Sequence, residues 1–186
     1  MGFLKPHKPS DYPSLLLYIL DETHITVTLS TALTILYTRN AHVIWFAIGA
    51  LNSSLSAKLL KELIRNPRPP PPDPTSSISK IRPKRTYGMP STHSTSLTFY
   101  FIYLIPYVRY LPFPLDILGG IGLTGYWLLG LWSRKQLGYH TWEQIFGGVA
   151  YGTFLALSWR LVYNKYPFIG SRIQYITDIV WSRIFG

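Results

Sequence analysis

Residues 87–95 read Tyr87-Gly88-Met89-Pro90-Ser91-Thr92-His93-Ser94-Thr95, and the chain then runs directly into an apolar segment that lasts to Val108. Pro90 suits the first turn of a helix, where its missing N–H costs nothing, and Ser91 and Thr92 are capping residues. A helix starting here presents unpaired backbone N–H groups with His93 beside them. Such an end attracts phosphate, because the donors and the helix dipole both favour an anion. Alone, Ser-x-His at a helix start also fits an ordinary surface cap; the flanking sequence decides between the two.

The flanks are those of a membrane protein. Of the 186 residues, 47% are hydrophobic and only 14% charged, against about 25% charged in average soluble chains. Mean hydropathy is +0.14, and the apolar residues come in blocks. Residues 1–186 therefore read as a single membrane-embedded domain. No start of the charged, apolar, then small-residue kind is present, so no cleavable signal peptide is expected. The absence of Cys excludes disulfides and thiolate chemistry. The formal net charge of +10 fits nucleic acid, anionic headgroups or a phosphorylated substrate. Nucleic acid is the poorest fit, because membrane-length apolar segments interrupt the basic residues.

The predicted architecture is all-α: a bundle of about five membrane-spanning helices with short amphipathic helices at both ends. Residues 12–20 are apolar but too short to span, which predicts an interfacial helix, and Asp21-Glu22-Thr23 interrupts it. Spans are predicted over 24–37, 41–60, 92–108, 115–132 and 141–163, with a Gly147-Gly148 step in the last for close packing. Pro67 stops the second span. The one long loop, 66–88, is Pro-rich and then basic, with Lys80, Arg82, Lys84 and Arg85; it also fits a solvated connector near anionic headgroups. Beyond Pro167, Ile173, Ile176, Ile179, Val180 and Ile184 recur at helical spacing.

Counting crossings brings three polar clusters to one face. The second span ends at Lys61, the third begins at Thr92, the fourth ends at Ser133-Arg134, and the fifth begins after His140. Lys61, Arg68 and Arg134 suit a multiply charged tetrahedral anion, Arg as a planar fork and Lys as a point charge. Of two histidines, one can attack phosphorus as neutral imidazole while the other donates to the leaving oxygen. Glu62, Asp73 and Glu143 supply too few clustered anionic ligands for an obvious metal site. Singly, Lys61 and Arg68 also fit snorkelling helix-end charges, and His140 an interfacial histidine.

Lys61-x6-Arg68-Pro69, Pro90-Ser91-Thr92-His93 and Ser133-Arg134-x5-His140 resemble the three signature motifs of the type 2 phosphatidic acid phosphatase superfamily, within 61–144. The resemblance implies a metal-independent and cofactor-independent lipid phosphatase. In it His140 is the nucleophile, forming a phosphohistidine, and His93 is the general acid. Lys61, Arg68 and Arg134 hold the phosphoryl oxygens, helped by Ser91 and the Thr92 backbone. Two positions depart from the pattern. Thr92 stands where Gly is usual, and Gln144 where an Asp orients the nucleophile. Gln144 can still accept from an imidazole N–H but carries no charge; Glu143, one position away, is the alternative orienting residue.

Tyr87-Gly88-Met89-Pro90-Ser91-x-His93-Ser94 and Tyr139-His140-Thr141-Trp142-x-Gln144 are similar to the dolichyl diphosphate phosphatase branch. That branch removes the terminal phosphate of dolichyl diphosphate at the lumenal face of the endoplasmic reticulum membrane, recycling the carrier for protein N-glycosylation. The implied partners are a polyisoprenyl diphosphate lipid and the bilayer. Phosphatidate or sphingoid-base phosphate is the other substrate class, and a non-catalytic protein that binds anionic lipid is the alternative outside enzymes. Setting aside the three site cations, Lys5, Lys8, Lys58, Arg65, Lys80, Arg82, Lys84, Arg85 and Lys135 fall on the catalytic side. Arg39, Arg109, Arg160, Lys165, Arg172 and Arg183 fall on the other. The positive-inside rule thus points to a cytosolic site, while the resemblance implies a lumenal one.

Overall fold

The computed structural model describes residues 8–81 and 86–185, and among them there are seven α-helices and no strand. Lys5, Arg82, Lys84 and Arg85 lie outside the described residues. Helix α1, Leu15–Asp21, starts at Ser14, whose hydroxyl accepts from the Leu17 amide at 3.3 Å. Glu22 alone separates it from α2, Thr23–Thr38. Arg39 turns the chain in the left-handed region (φ 51°), and Asn40 caps α3, Ala41–Ile64, accepting from the His42 amide at 2.7 Å. The remaining helices are α4, Thr92–Val108; α5, Leu115–Gln136; α6, Trp142–Lys165; and α7, Pro167–Phe185.

Helices α3, α5 and α6 are long and apolar enough to cross a membrane. At 24, 22 and 24 residues they measure about 33–36 Å, against about 30 Å of hydrocarbon. The other two predicted spans, α2 and α4, have 16 and 17 residues, or about 24–26 Å. The all-helical membrane bundle is therefore as the sequence predicts, with three of the five expected spans meeting the length and composition of a crossing. Outward-facing leucines follow helical spacing on the long helices, as with Leu51, Leu55 and Leu59 of α3 and Leu157 and Leu161 of α6. Polar backbone is satisfied within each helix, so such surfaces are at home in lipid.

Helix α4 is the centre, touching α3, α5 and α6. Its Phe99 and Tyr103 are buried with Phe46 and Ala50 of α3 and Ala156 of α6. Helices α4 and α6 approach closely because two glycines one turn apart face α4. A Cβ on Gly148 would sit 2.7 Å from the Ser91 carbonyl oxygen, and one on Gly152 would overlap the Thr95 carbonyl. The predicted Gly147-Gly148 step is shifted in detail: Gly147 faces the Met89 side chain, and Gly148 pairs with Gly152 one helical turn on. At the opposite end, the indoles of Trp45 and Trp159 stack at 4.5 Å, and each donates to the other's backbone carbonyl, at 3.1 and 2.9 Å. Pro90 also differs from expectation. Ser91 is the cap, so Pro90 precedes the helix instead of opening its first turn.

The N-terminal segment and the long loop close over one end. Tyr12 and Leu17 pack with Ile81 of the loop and with Leu137 and Tyr139 between α5 and α6. The loop is thus anchored by Ile78 and Ile81, beyond a free connector, while Lys80 stays exposed.

Candidate active site

The residues at that end come from four helix termini and two loops. Lys61 lies in the last turn of α3 and is only 4% exposed. Arg68 follows in the extended stretch after Pro67. Its Nε donates to the Thr86 carbonyl at 2.7 Å and its Nη2 to the Thr86 hydroxyl at 3.0 Å. Its Nη1 donates to the Tyr139 carbonyl at 2.7 Å and lies 3.1 Å from Nε2 of His140. A guanidinium has no acceptor, so His140 Nε2 carries a lone pair directed at Arg68.

The other imidazole nitrogen completes the assignment. His140 Nδ1 is 3.1 Å from Gln144 Oε1, and as the protonated nitrogen it donates to that oxygen. Gln144 is held in turn. Its Nε2 donates to Asn66 Oδ1 at 2.5 Å and to the Pro67 carbonyl at 2.7 Å. Thr141 caps α6, its hydroxyl accepting from the Gln144 amide at 3.4 Å, while the Thr141 amide donates back to Gln144 Oε1 at 3.3 Å. This capping box sets the first turn of α6 and the Gln144 rotamer together. Glu143, the next residue back, is exposed. The Gln144 amide also packs against Gly88, where any Cβ would overlap it.

Burial, and then the charges of Arg68, Lys61 and Arg134, push the His140 imidazole down to about 2; the bond to Gln144 opposes this. His140 is therefore neutral at any working pH, with its Nε2 lone pair available.

Ser91 and Thr92 open α4. The Ser91 hydroxyl accepts from the Ser94 amide at 3.3 Å and the Ser94 hydroxyl at 2.9 Å, so it serves the cap and is fully buried. The Ser91 amide donates to the Gln144 carbonyl at 3.0 Å, tying the start of α4 to the start of α6. His93, half-buried in the first turn, has Nε2 3.3 Å from the Thr23 hydroxyl. Arg134, at the end of α5, is 1% exposed. Its Nη1 meets Asp21 Oδ1 at 2.6 Å, its Nη2 donates to the Leu20 carbonyl at 3.0 Å, and its Nε donates to the Ser133 hydroxyl at 3.1 Å. Asp21 also accepts from the Tyr12 hydroxyl at 2.6 Å and the Tyr139 hydroxyl at 3.1 Å.

The sequence reading missed Asp21 and Thr23. It treated Asp21-Glu22-Thr23 only as an interruption. A carboxylate between two apolar segments was the available signal, because such a charge needs a partner. Among the described residues no three His, Asp or Glu side chains come together as metal ligands.

From Leu97 of α4, one turn beyond His93, an apolar cavity of about 490 Å³ extends between α2, α3, α4 and α5. Val27, Phe46, Tyr100, Phe101 and Trp127 line it, and it reaches Thr34 and Tyr107.

A model of the PAP2 superfamily matches residues 42–167, more than half of the chain. Over 158 residues the chain is 34% identical to Dolichyldiphosphatase 1 of Mus musculus, a match covering 79% of this chain and 63% of the mouse protein. It is also 34% identical to Dolichyldiphosphatase 1 of Homo sapiens over 156 residues, covering 77% and 62%. The chain thus spans less than two thirds of these relatives' length. A transmembrane PAP2 type phosphatidylglycerolphosphate phosphatase from Bacillus subtilis shares the fold, with a TM-score of 0.63 at 19% identity, covering 81% of this chain and 74% of that one. With the three motifs assembled at one end of a helical bundle, and a family match running from α3 to the start of α7, the chain belongs to the PAP2 superfamily.

Proposed function

We propose that the protein is a membrane hydrolase that removes the terminal phosphate of dolichyl diphosphate, as one domain over residues 1–186. The observation that carries this is the His140 arrangement: Nδ1–H on Gln144, and the Nε2 lone pair beside the Arg68 guanidinium. A phosphoryl group drawn to Arg68, with Lys61 and Arg134 close by, has its phosphorus in front of that lone pair. Nε2 attacks, the bond from phosphorus to the bridging oxygen breaks, and His93 gives that oxygen its proton. Dolichyl phosphate leaves, and the phosphoryl group stays on His140. Water then attacks phosphorus, losing a proton to His93, and inorganic phosphate departs with His140 restored. Each half of the cycle uses general acid–base help worth about 10²–10⁴-fold. No step calls on a metal or cofactor.

The lipid half of the substrate has a place as well. The apolar cavity beginning one turn from His93 suits a hydrocarbon tail entering from the bilayer. Similarity to the two dolichyldiphosphatases supports the polyisoprenyl class. It also supports an endoplasmic reticulum membrane with the catalytic end lumenal, where substrate phosphates and headgroups account for the exposed cations.

The test is phosphate release by purified protein in detergent from dolichyl diphosphate, dolichyl phosphate and phosphatidate. The expected order of kcat/KM places the diphosphate first, because a lipid monophosphate is a better leaving group than a lipid alkoxide. Equal or faster turnover of phosphatidate reassigns the protein to the phosphatidate class. No release from any lipid phosphate reassigns it to lipid binding without catalysis.

A further inference from the structure

The α1–α2 junction lies outside residues 42–167 matched by the family, yet it touches two groups of the site. Thr23 is 2% exposed, and its hydroxyl hydrogen is committed to the Leu20 carbonyl. Toward His93 Nε2, 3.3 Å away, that oxygen therefore offers only a lone pair. A lone pair there demands a proton on Nε2. The Leu20 carbonyl and Asp21 meanwhile take two sides of the Arg134 guanidinium. Asp21, with its side chain 7% exposed, sets one buried negative charge against that buried positive one.

We infer that this junction is a working wall of the active site: Thr23 positions His93 and keeps its Nε2 protonated, and Asp21 with the Leu20 carbonyl positions Arg134. Thr23 thus does for His93 what Gln144 does for His140. Both are positioning residues, since neither needs to touch the substrate. The catalytic consequence rests on the reading of His93 as general acid and Arg134 as a phosphoryl ligand; the protonation site of His93 does not. An acceptor on an imidazole N–H favours the protonated ring, so removing the Thr23 hydroxyl makes His93 a proton carrier that empties at lower pH. The charged or titratable groups beside the junction are Asp21 of α1, Glu22, His24 of α2, Arg134 of α5 and Tyr139, with Lys61, Arg68 and His140 at the same end, and Thr23→Val alters none of them.

The first measurement needs no turnover. Imidazole nitrogen NMR of full-length protein in micelles, at a pH where His93 is neutral, reads its tautomer, with His93→Gln assigning the signal. Wild type and Thr23→Ser are expected to show Nε2–H, and Thr23→Val a mixture. A His93 protonated on Nδ1 in wild type, or a Thr23→Val signal identical to wild type, overturns the inference. The second measurement uses whichever lipid phosphate wild type hydrolyses. Thr23→Val is expected to lower kcat roughly 10-fold with KM within about two-fold, and to move the alkaline limb of kcat to lower pH. Thr23→Ser restores both. Asp21→Asn is expected to raise KM, and the inhibition constant of orthovanadate, roughly 10-fold. A loss uniform across pH and equal in Thr23→Val and Thr23→Ser overturns the positioning role. Failure of wild type to release phosphate from any lipid overturns the proposed function instead, and the tautomer result still stands.

Discussion

Gln144 supplies by reach what a carboxylate supplies by charge. Its Oε1 accepts from His140 Nδ1 while its Nε2 is clamped by Asn66 and Pro67, so the amide cannot flip without losing two bonds. Gln144→Ala should therefore lower kcat roughly 10- to 100-fold with little change in KM, the equivalent of about 1.5–3 kcal/mol for a hydrogen bond to the ring once attack on phosphorus makes it cationic. Glu143→Ala should stay near wild type, as its side chain faces solvent. Initial-rate kinetics on the two variants checks the ranking. The depressed pKa of His140 also has a sign. As the proposed nucleophile, an imidazole held neutral down to about 2 gives kcat/KM no acid limb of its own in the working range. Lys61→Met removes one of the cations that depress it, so His140 should take up a proton at higher pH. An acid limb that wild type lacks should then enter a profile measured from about pH 4 to 9. A variant profile as flat on its acid side as wild type contradicts the electrostatic assignment.

Two helices, α4 and α6, carry the site, and their separation fixes it. Ser91 and Gln144 are joined by a backbone hydrogen bond of 3.0 Å that exists only because Gly148 and Gly152 let the helices touch. Gly152→Val forces a branched side chain against the Thr95 carbonyl. Such overpacking should cost about 1–3 kcal/mol and separate the starts of the two helices, lowering both thermal stability and turnover. Gly122 and Gly125 of α5 are the contrast. A Cβ at either meets nothing within 4 Å. Gly122→Ala and Gly125→Ala should each stabilise the helix by roughly 0.5–1 kcal/mol and leave kcat unchanged. Thermal denaturation in detergent, run beside activity, separates the two classes.

For the molecule as a whole, the charge distribution and the proposed chemistry pull in opposite directions. Exposed Lys58, Arg65, Lys80 and Lys135 lie at the catalytic end, where the positive-inside rule wants the cytosol. Placement of that end in the lumen predicts that an acceptor Asn-x-Thr, set on a flexible spacer beside Lys80, becomes glycosylated in microsomes. An unmodified acceptor in protein that is otherwise inserted and active reverses the orientation. Turnover should also survive EDTA, since the proposed steps use only imidazoles and cations. Loss of activity on chelation, restored by Mg²⁺ or Zn²⁺, contradicts that route.

Much of this was determined by the sequence itself. Apolar block lengths gave the helical membrane bundle, the parity of the blocks placed Lys61, His93, Arg134 and His140 at one end, and the motif spacing led to the family. These are local properties, because length, hydropathy and caps are written in consecutive residues. What tertiary structure alone decided concerns pairs distant in the chain. It chose Gln144 over Glu143, since consecutive residues on a helix point about 100° apart and only one can face His140. It brought Thr23 to His93 and Asp21 to Arg134 across separations of 70 and 113 residues. A hydrogen bond depends on distance and direction to a partner, and neither is specified until the helices have packed.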